Sequence, residues 1–160
     1  MVKKKLIKLG GIINSILPYQ QDDILELDEL WSFVQKKLNK KWIWIAICKR
    51  TRQIVAYFIG KRDEEACRAF WESIPKEYQQ STTYSDLWSA YNKVIDTGKH
   101  SSNGKEAGLT NHVQRWNLTL RQRIGRFVRL SLSFSKNDVN HELSLALFIH
   151  RYNNSFISAS

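Results

Sequence analysis

Five of the chain's 15 acidic residues, Asp22, Asp23, Glu26, Asp28 and Glu29, fall within eight positions. Carboxylates crowded on or beside a strand repel one another unless a cation or a helix N-terminus compensates. Ile24-Leu-Glu-Leu-Asp28 reads as a short strand, whose alternation places Leu25 and Leu27 on one face and Glu26 and Asp28 on the other. A second, isolated acid, Asp86, follows the strand-like Thr82-Thr83-Tyr84. Two carboxylates at the ends of separate strands are what a magnesium site at a sheet edge requires, because hard divalent cations take oxygen ligands. Strand-end aspartates also cap turns and helices, and spacing by itself leaves both uses open.

The charge around these acids points to a partner. The 160 residues carry 25 Lys and Arg against 15 Asp and Glu, a net charge of +10, which suits a polyanion. From Ala107 to Asn137 there is no acid at all, while Arg115, Arg121, Arg123, Arg126, Arg129 and Lys136 lie in that stretch. Such a basic helix face suits phosphate contacts, although a simply solvated face has the same pattern. Cys48 and Cys67 have no metal-ligand spacing and read as buried thiols of a cytoplasmic protein. No apolar run reaches the ~18 residues of a membrane helix, and the lysine-rich start lacks the cleavage pattern of a signal peptide.

The elements that must position these residues follow from periodicity. Trp42–Cys48 and Gln53–Ile59 are β-branched and aromatic runs of strand length. Joined through Lys49-Arg50-Thr51-Arg52, they predict with the Ile24 strand a three-stranded antiparallel meander. Asp63-Glu64-Glu65 opens a helix that Pro75 closes. Residues 97–108, rich in Gly and Ser, read as a loop. Beyond it, Val113, Trp116, Leu120, Ile124 and Phe127 form one helical stripe, and Val139, Leu143, Leu147 and His150 a second. Strands, helix, strand and then helices make an α/β or α+β layer fold, and the chain length suits one domain. Trp31, Trp88 and Trp116, near the acids in sequence, are expected to pack around the site rather than stack on bases.

Four segments carry a more specific signal. Leu25-Glu-Leu-Asp28-Glu-Leu-Trp31, Tyr84-Ser-Asp86-Leu-Trp-Ser-Ala-Tyr91, Gly108-Leu-Thr-Asn-His-Val-Gln-Arg-Trp-Asn117, and Leu118-Thr-Leu-Arg-Gln-Arg123 through Leu132-Ser-Phe-Ser-Lys136 together resemble InsB-type insertion-element transposases. The resemblance is collinear from about Ile24 to Asn153. It implies the ribonuclease-H-like fold of Asp-Asp-Glu transposases, an α/β mixed sheet flanked by helices. On that basis residues 22–154 form the catalytic domain, 1–21 a basic N-terminal arm and 155–160 a tail. The resemblance makes Asp28 and Asp86 metal ligands and catalytic residues. It implies two Mg2+ (or Mn2+) ions that activate a water or a DNA 3′-hydroxyl and stabilise the leaving oxygen. Its third acid falls on Gln114, and its helical cation on Arg121, seven residues on and on the same face as Asn117. Arg115, Asn117, Arg121, Arg123, Arg126, Arg129 and Lys136 become candidate DNA contacts. Two-metal chemistry needs no histidine base, so His112 and His141 read as surface or capping residues.

Gln114 departs from the family pattern. A glutamine keeps one oxygen acceptor and loses the negative charge, so the second ion's site is poorer by one unit. The expectation is impaired catalysis in a chain that still folds, with Glu106 the nearest acid that could substitute. The alternative is a catalytically inactive DNA-binding remnant or a regulator of an intact transposase. The implied partners are double-stranded DNA, both element ends and target, and either further copies of the chain or the upstream end-recognition protein. The zinc-binding and helix-turn-helix region that full transposases of this kind place upstream has no counterpart in this sequence. End recognition by this chain alone is therefore not expected.

Overall fold

The computed structural model describes residues 15–33, 40–86, 89–95, 98–102, 108–130 and 138–157. A five-stranded sheet forms the middle layer: β1 (Ile24–Phe33), β2 (Lys40–Cys48), β3 (Ile54–Gly60), β4 (Thr82–Tyr84) and β5 (His100–Ser101). Their order is β3-β2-β1-β4-β5. β1, β2 and β3 are the antiparallel meander expected from the sequence, with Leu25 opposite Cys48 and Ile45 opposite Tyr57. β4 pairs parallel to β1, and β5 parallel to β4, so the sheet is mixed.

Alternation along the strands builds a core on each face. Leu25, Leu27, Trp44, Ala46 and Cys48 face α1 (Glu64–Ser73) and α2 (Ser89–Val94), packing with Cys67, Phe70 and Tyr91. Leu30, Ile43, Ile45 and Ile47 face the other way, onto Val113, Trp116 and Leu120 of α3 (Asn111–Leu130) and Leu145 and Ile149 of α4 (Asp138–Ile157). The unbroken apolar run of β2 is thus explained, since a central strand covered on both faces has no polar side to show. α1 begins as its sequence predicts: Asp63 Oδ1 accepts from the Ala66 amide, and Glu64 and Glu65 fill the first turn. Both cysteines are free and buried, and burial pushes the Cys67 thiol up to about 12.

Two expectations need correction. The stretch 97–108 is not all loop, because His100 and Ser101 pair with Thr83 and Tyr84 as a two-residue edge strand. There His100 makes hydrogen bonds with Thr83 Oγ1 at 2.8 Å and Ser85 Oγ at 3.1 Å, side-chain links that no periodicity announces. The stripe on α4 is also rotated. Leu145, Ala146, Ile149, His150 and Asn153 are buried, whereas Leu143 and Leu147 are only half-buried. Val139, Ile124 and Phe127 lie outside the described side chains.

Asn153 explains part of that rotation. Its fully buried amide accepts from the Ile54 amide and donates to the Ile54 carbonyl, both at 2.8 Å, so one side chain serves as a strand partner for the outer edge of β3. Its own carbonyl accepts from Gln53, which also donates to the Ser15 carbonyl, so residues 15–18 are tied to the same place. Replacing Asn153 by Leu orphans two buried backbone groups, each costing roughly 1–3 kcal/mol. Urea denaturation should therefore place Asn153→Leu at least ~2 kcal/mol below the parent.

Candidate carboxylate site

The five clustered acids separate into three tasks. Asp22 is exposed, and Asp23 is buried in a structural pair in which Arg50 donates to both of its oxygens, at 2.5 and 2.9 Å. Burial pushes the Asp23 carboxyl up. The Arg50 hydrogen bond, the Gln20 amide and the Arg50 charge outweigh that, so it titrates below its ordinary value.

Glu26, almost fully buried, ties the sheet to the start of α3. It accepts from the Val113 amide at 2.8 Å and meets His112 Nδ1 at 2.5 Å. A carboxylate at a helix N-terminus satisfies an orphan amide and faces the positive end of the dipole. Burial raises the Glu26 pKa, with the Val113 amide working against it. His112, expected as a surface or capping residue, is half-buried against Glu26 at the start of α3, and His141 lies outside the described side chains.

One turn along α3, Asn117 Nδ2 donates to Asp28 Oδ2 at 2.7 Å. Asp28 thus stands on the same face as Glu26, as alternation requires. Across the parallel pair, Glu26 lies level with Tyr84. Asp86 lies two residues past the end of β4, and Asp28 two residues past the last β1 residue that pairs with it. The sheet therefore brings together two acids 58 residues apart in sequence (86 − 28). One oxygen from each of Asp28, Asp86 and Glu29 lies within 4.8 Å of the others.

Glu29 was not anticipated, because strand alternation assigns it to the face opposite Asp28. β4 stops pairing with β1 at Glu26, so beyond that point the β1 edge is clear of β4 and neighbouring side chains can converge there. The Glu29 carboxylate is held from two sides. Tyr91 donates to Oε2 at 2.7 Å, and Arg62 approaches Oε1 at 2.8 Å. Burial, and then the Asp86 charge, raise its pKa to about 7 against the pull of Tyr91 and Arg62. Because the unfolded chain titrates near the ordinary 4.5, the folded state holds a proton that the unfolded state releases between about pH 4.5 and 7. Stability of the metal-free protein should therefore fall as pH rises through that window, by on the order of 3 kcal/mol. Melts from pH 5 to 8 check this, with Glu29→Gln expected to show the flatter profile.

The remaining expected residues fall as follows. Gln114 is half-buried one turn before Asn117, on the same side of α3, with Nε2 donating to Thr110 Oγ1 at 2.8 Å. Arg115, Arg121 and Arg123 are exposed on α3, whereas Asn117 is 6% exposed against Asp28. The side chains of Arg126 and Arg129 lie outside the description, as do Lys136, Glu106 and Trp88 altogether. Trp116 is buried packing, but Trp31 is 45% exposed, at odds with the packing expected of it.

Fold and site together define an α/β protein with a carboxylate cluster formed midway along β1 and just past the end of β4, set in a cationic chain. Residues 24–154 match the IS1 transposase family model, and the chain belongs to that family. It is 36% identical over 129 residues to the iso-IS1n protein InsB of Shigella dysenteriae, covering 81% of this chain and 95% of that protein. It is 27% identical over 125 residues to an IS1 protein InsB of Shigella flexneri, covering 78% and 92%. An IS1 protein InsB of Escherichia coli K12 is 26% identical, covering 78% and 72%. Among the described residues no helix is long and apolar enough to cross a membrane.

Proposed function

We propose that this transposase-family chain is a ribonuclease-H-like catalytic domain that cleaves and joins DNA strands with divalent cations held at Asp28 and Asp86. The observation that carries the reading is the convergence of Asp28 and Asp86, one carboxylate oxygen of each lying within 4.8 Å of the other just beyond the last paired residues of β1 and β4. The donor set fits a hard cation, being carboxylate oxygen, and the 94%-buried Asn117 keeps an Oδ1 with no hydrogen-bond partner among the described residues while its Nδ2 holds Asp28. When bound, Mg2+ or Mn2+ would activate a water or a 3′-hydroxyl and stabilise the leaving oxygen.

The chain's own residues do the positioning. Glu26 fixes the first turn of α3 to β1, and Asn117 orients the Asp28 carboxylate from the next turn. Gln114, between them, offers an amide where the family pattern has a third carboxylate. Arg115, Arg121 and Arg123 extend from the same helix into solvent, where guanidinium groups can neutralise phosphates of double-stranded DNA. Arg126, Arg129 and Lys136 extend that charge in sequence.

The test is the joining of pre-cleaved duplex ends bearing a free 3′-hydroxyl, with Mg2+ or Mn2+, by the chain and its Asp28→Asn and Asp86→Asn variants. Residual joining that needs both aspartates supports the reading, and joining that survives their loss overturns it. Gln114 supports a second reading, in which the chain binds DNA without acting on it and regulates an intact transposase. Mn2+ uptake that depends on Asp28 and Asp86 excludes that reading in its metal-free form.

A further inference from the structure

We propose that Glu29 is a third carboxylate ligand of the cation site, giving this chain a three-acid set for one ion although position 114 is glutamine. The inference rests on the cation reading of Asp28 and Asp86, and goes beyond it by assigning a residue adjacent to the expected acid rather than one on α3. Geometry is the first support, since Glu29 contributes an oxygen within 4.8 Å of one from Asp28 and one from Asp86. The second is the buried Oδ1 of Asn117, which has no hydrogen-bond partner among the described residues and belongs to the amide that holds Asp28, because a buried amide oxygen needs a partner that a cation or its bound water can supply.

The bonds Glu29 already makes are compatible with ligation. Each carboxylate oxygen has two lone-pair sites. Arg62 approaches Oε1 with both Nε and Nη2 while Tyr91 donates to Oε2, which leaves an acceptor site on Oε2 and fixes the plane of the group. Charge is compatible as well, since the Arg62 guanidinium paired with Glu29 already offsets part of the repulsion among the three carboxylates. Arg62 is itself steadied, with its guanidinium 5.0 Å from the centre of the Trp42 ring. A purely structural Glu29 accounts for Arg62 and Tyr91 but not for its approach to two like-charged groups.

Mn2+ titration of the full chain, read by loss of the free-ion paramagnetic signal, separates the possibilities. Glu29→Gln should weaken Mn2+ binding by roughly tenfold or more. Tyr91→Phe, which keeps the carboxylate and removes one of its supports, should weaken it less. Unchanged Mn2+ affinity in Glu29→Gln, beside lost affinity in Asp86→Asn, overturns the proposal and leaves the cation reading standing. Unchanged affinity in both overturns the cation reading itself. Should Glu29→Gln fail to fold, Glu29→Asp keeps the charge and shortens the reach by one methylene. Weakened Mn2+ binding by the folded variant then supports ligation, and parental affinity overturns it.

Discussion

Gln114→Glu is expected to raise strand joining by roughly 10²- to 10³-fold, equivalent to about 3–4 kcal/mol of transition-state stabilisation. The gain is ascribed to charge. The glutamine sits one helical turn before Asn117, the residue that holds Asp28, and its Nε2 is spent on Thr110, just before the start of its own helix. A glutamate there has the same length, adds one negative charge and replaces the NH2 donor with a second acceptor oxygen. The change should leave the fold alone, because position 114 is half-buried and the docking of α3 rests on Glu26, Val113, Trp116 and Leu120. It should also raise the number of Mn2+ ions bound, from one to two. Joining assays of the two purified chains at equal concentration check the rate, and equal activities would sink the idea that position 114 limits the chemistry. Metal-free stability should fall slightly, since a further carboxylate joins groups that already repel.

Much of this arrangement is legible in the residues, and the illegible parts have definite causes. The meander and the first helix could be read because β2 is apolar on both faces and Asp63-Glu64-Glu65 is a strong helix start. β5 could not, because two residues among glycines and serines have no period, and the strand exists only through its pairing with β4. The buried face of α4 was misjudged for a related reason. Apolar residues surround much of the helix, so its orientation is decided by Asn153, a polar residue seeking the Ile54 backbone. At the site, Asp28 and Asp86 are both expected at strand ends; Asp86 does follow β4, but β1 continues to Phe33 and puts Asp28 in mid-strand, and the two acids converge because pairing with β4 stops before them. Glu29 was hidden by the alternation rule itself, which holds along a fully paired strand and gives no warning of where the β4 neighbour stops. The available signal was the placement of Glu29 inside the acid cluster, beside a buried tyrosine contributed by α2.

Asp86→Asn should abolish joining, by roughly 10³-fold or more, while leaving the metal-free protein at least as stable as its parent. The two effects share one cause. In the metal-free state Asp86 is a like charge facing Glu29, and that charge is second only to burial in raising the Glu29 pKa. Removing it lets Glu29 ionise closer to its ordinary range, so the stability lost between about pH 4.5 and 7 should shrink. With a divalent ion present the sign reverses. The parent gains stability in proportion to ln(1 + [ion]/Kd), whereas the variant, short of a ligand, gains little. Melting temperatures with chelator and with excess Mn2+ should therefore cross: the variant equal or higher without metal, the parent higher with it. A general folding defect would lower the variant in both conditions, and an Asp86 that merely capped the end of β4 would produce no crossing. Asp28→Asn should follow the same pattern with a smaller metal-free gain, because Asp28 contributes less to the Glu29 shift and its carboxylate also accepts from Asn117.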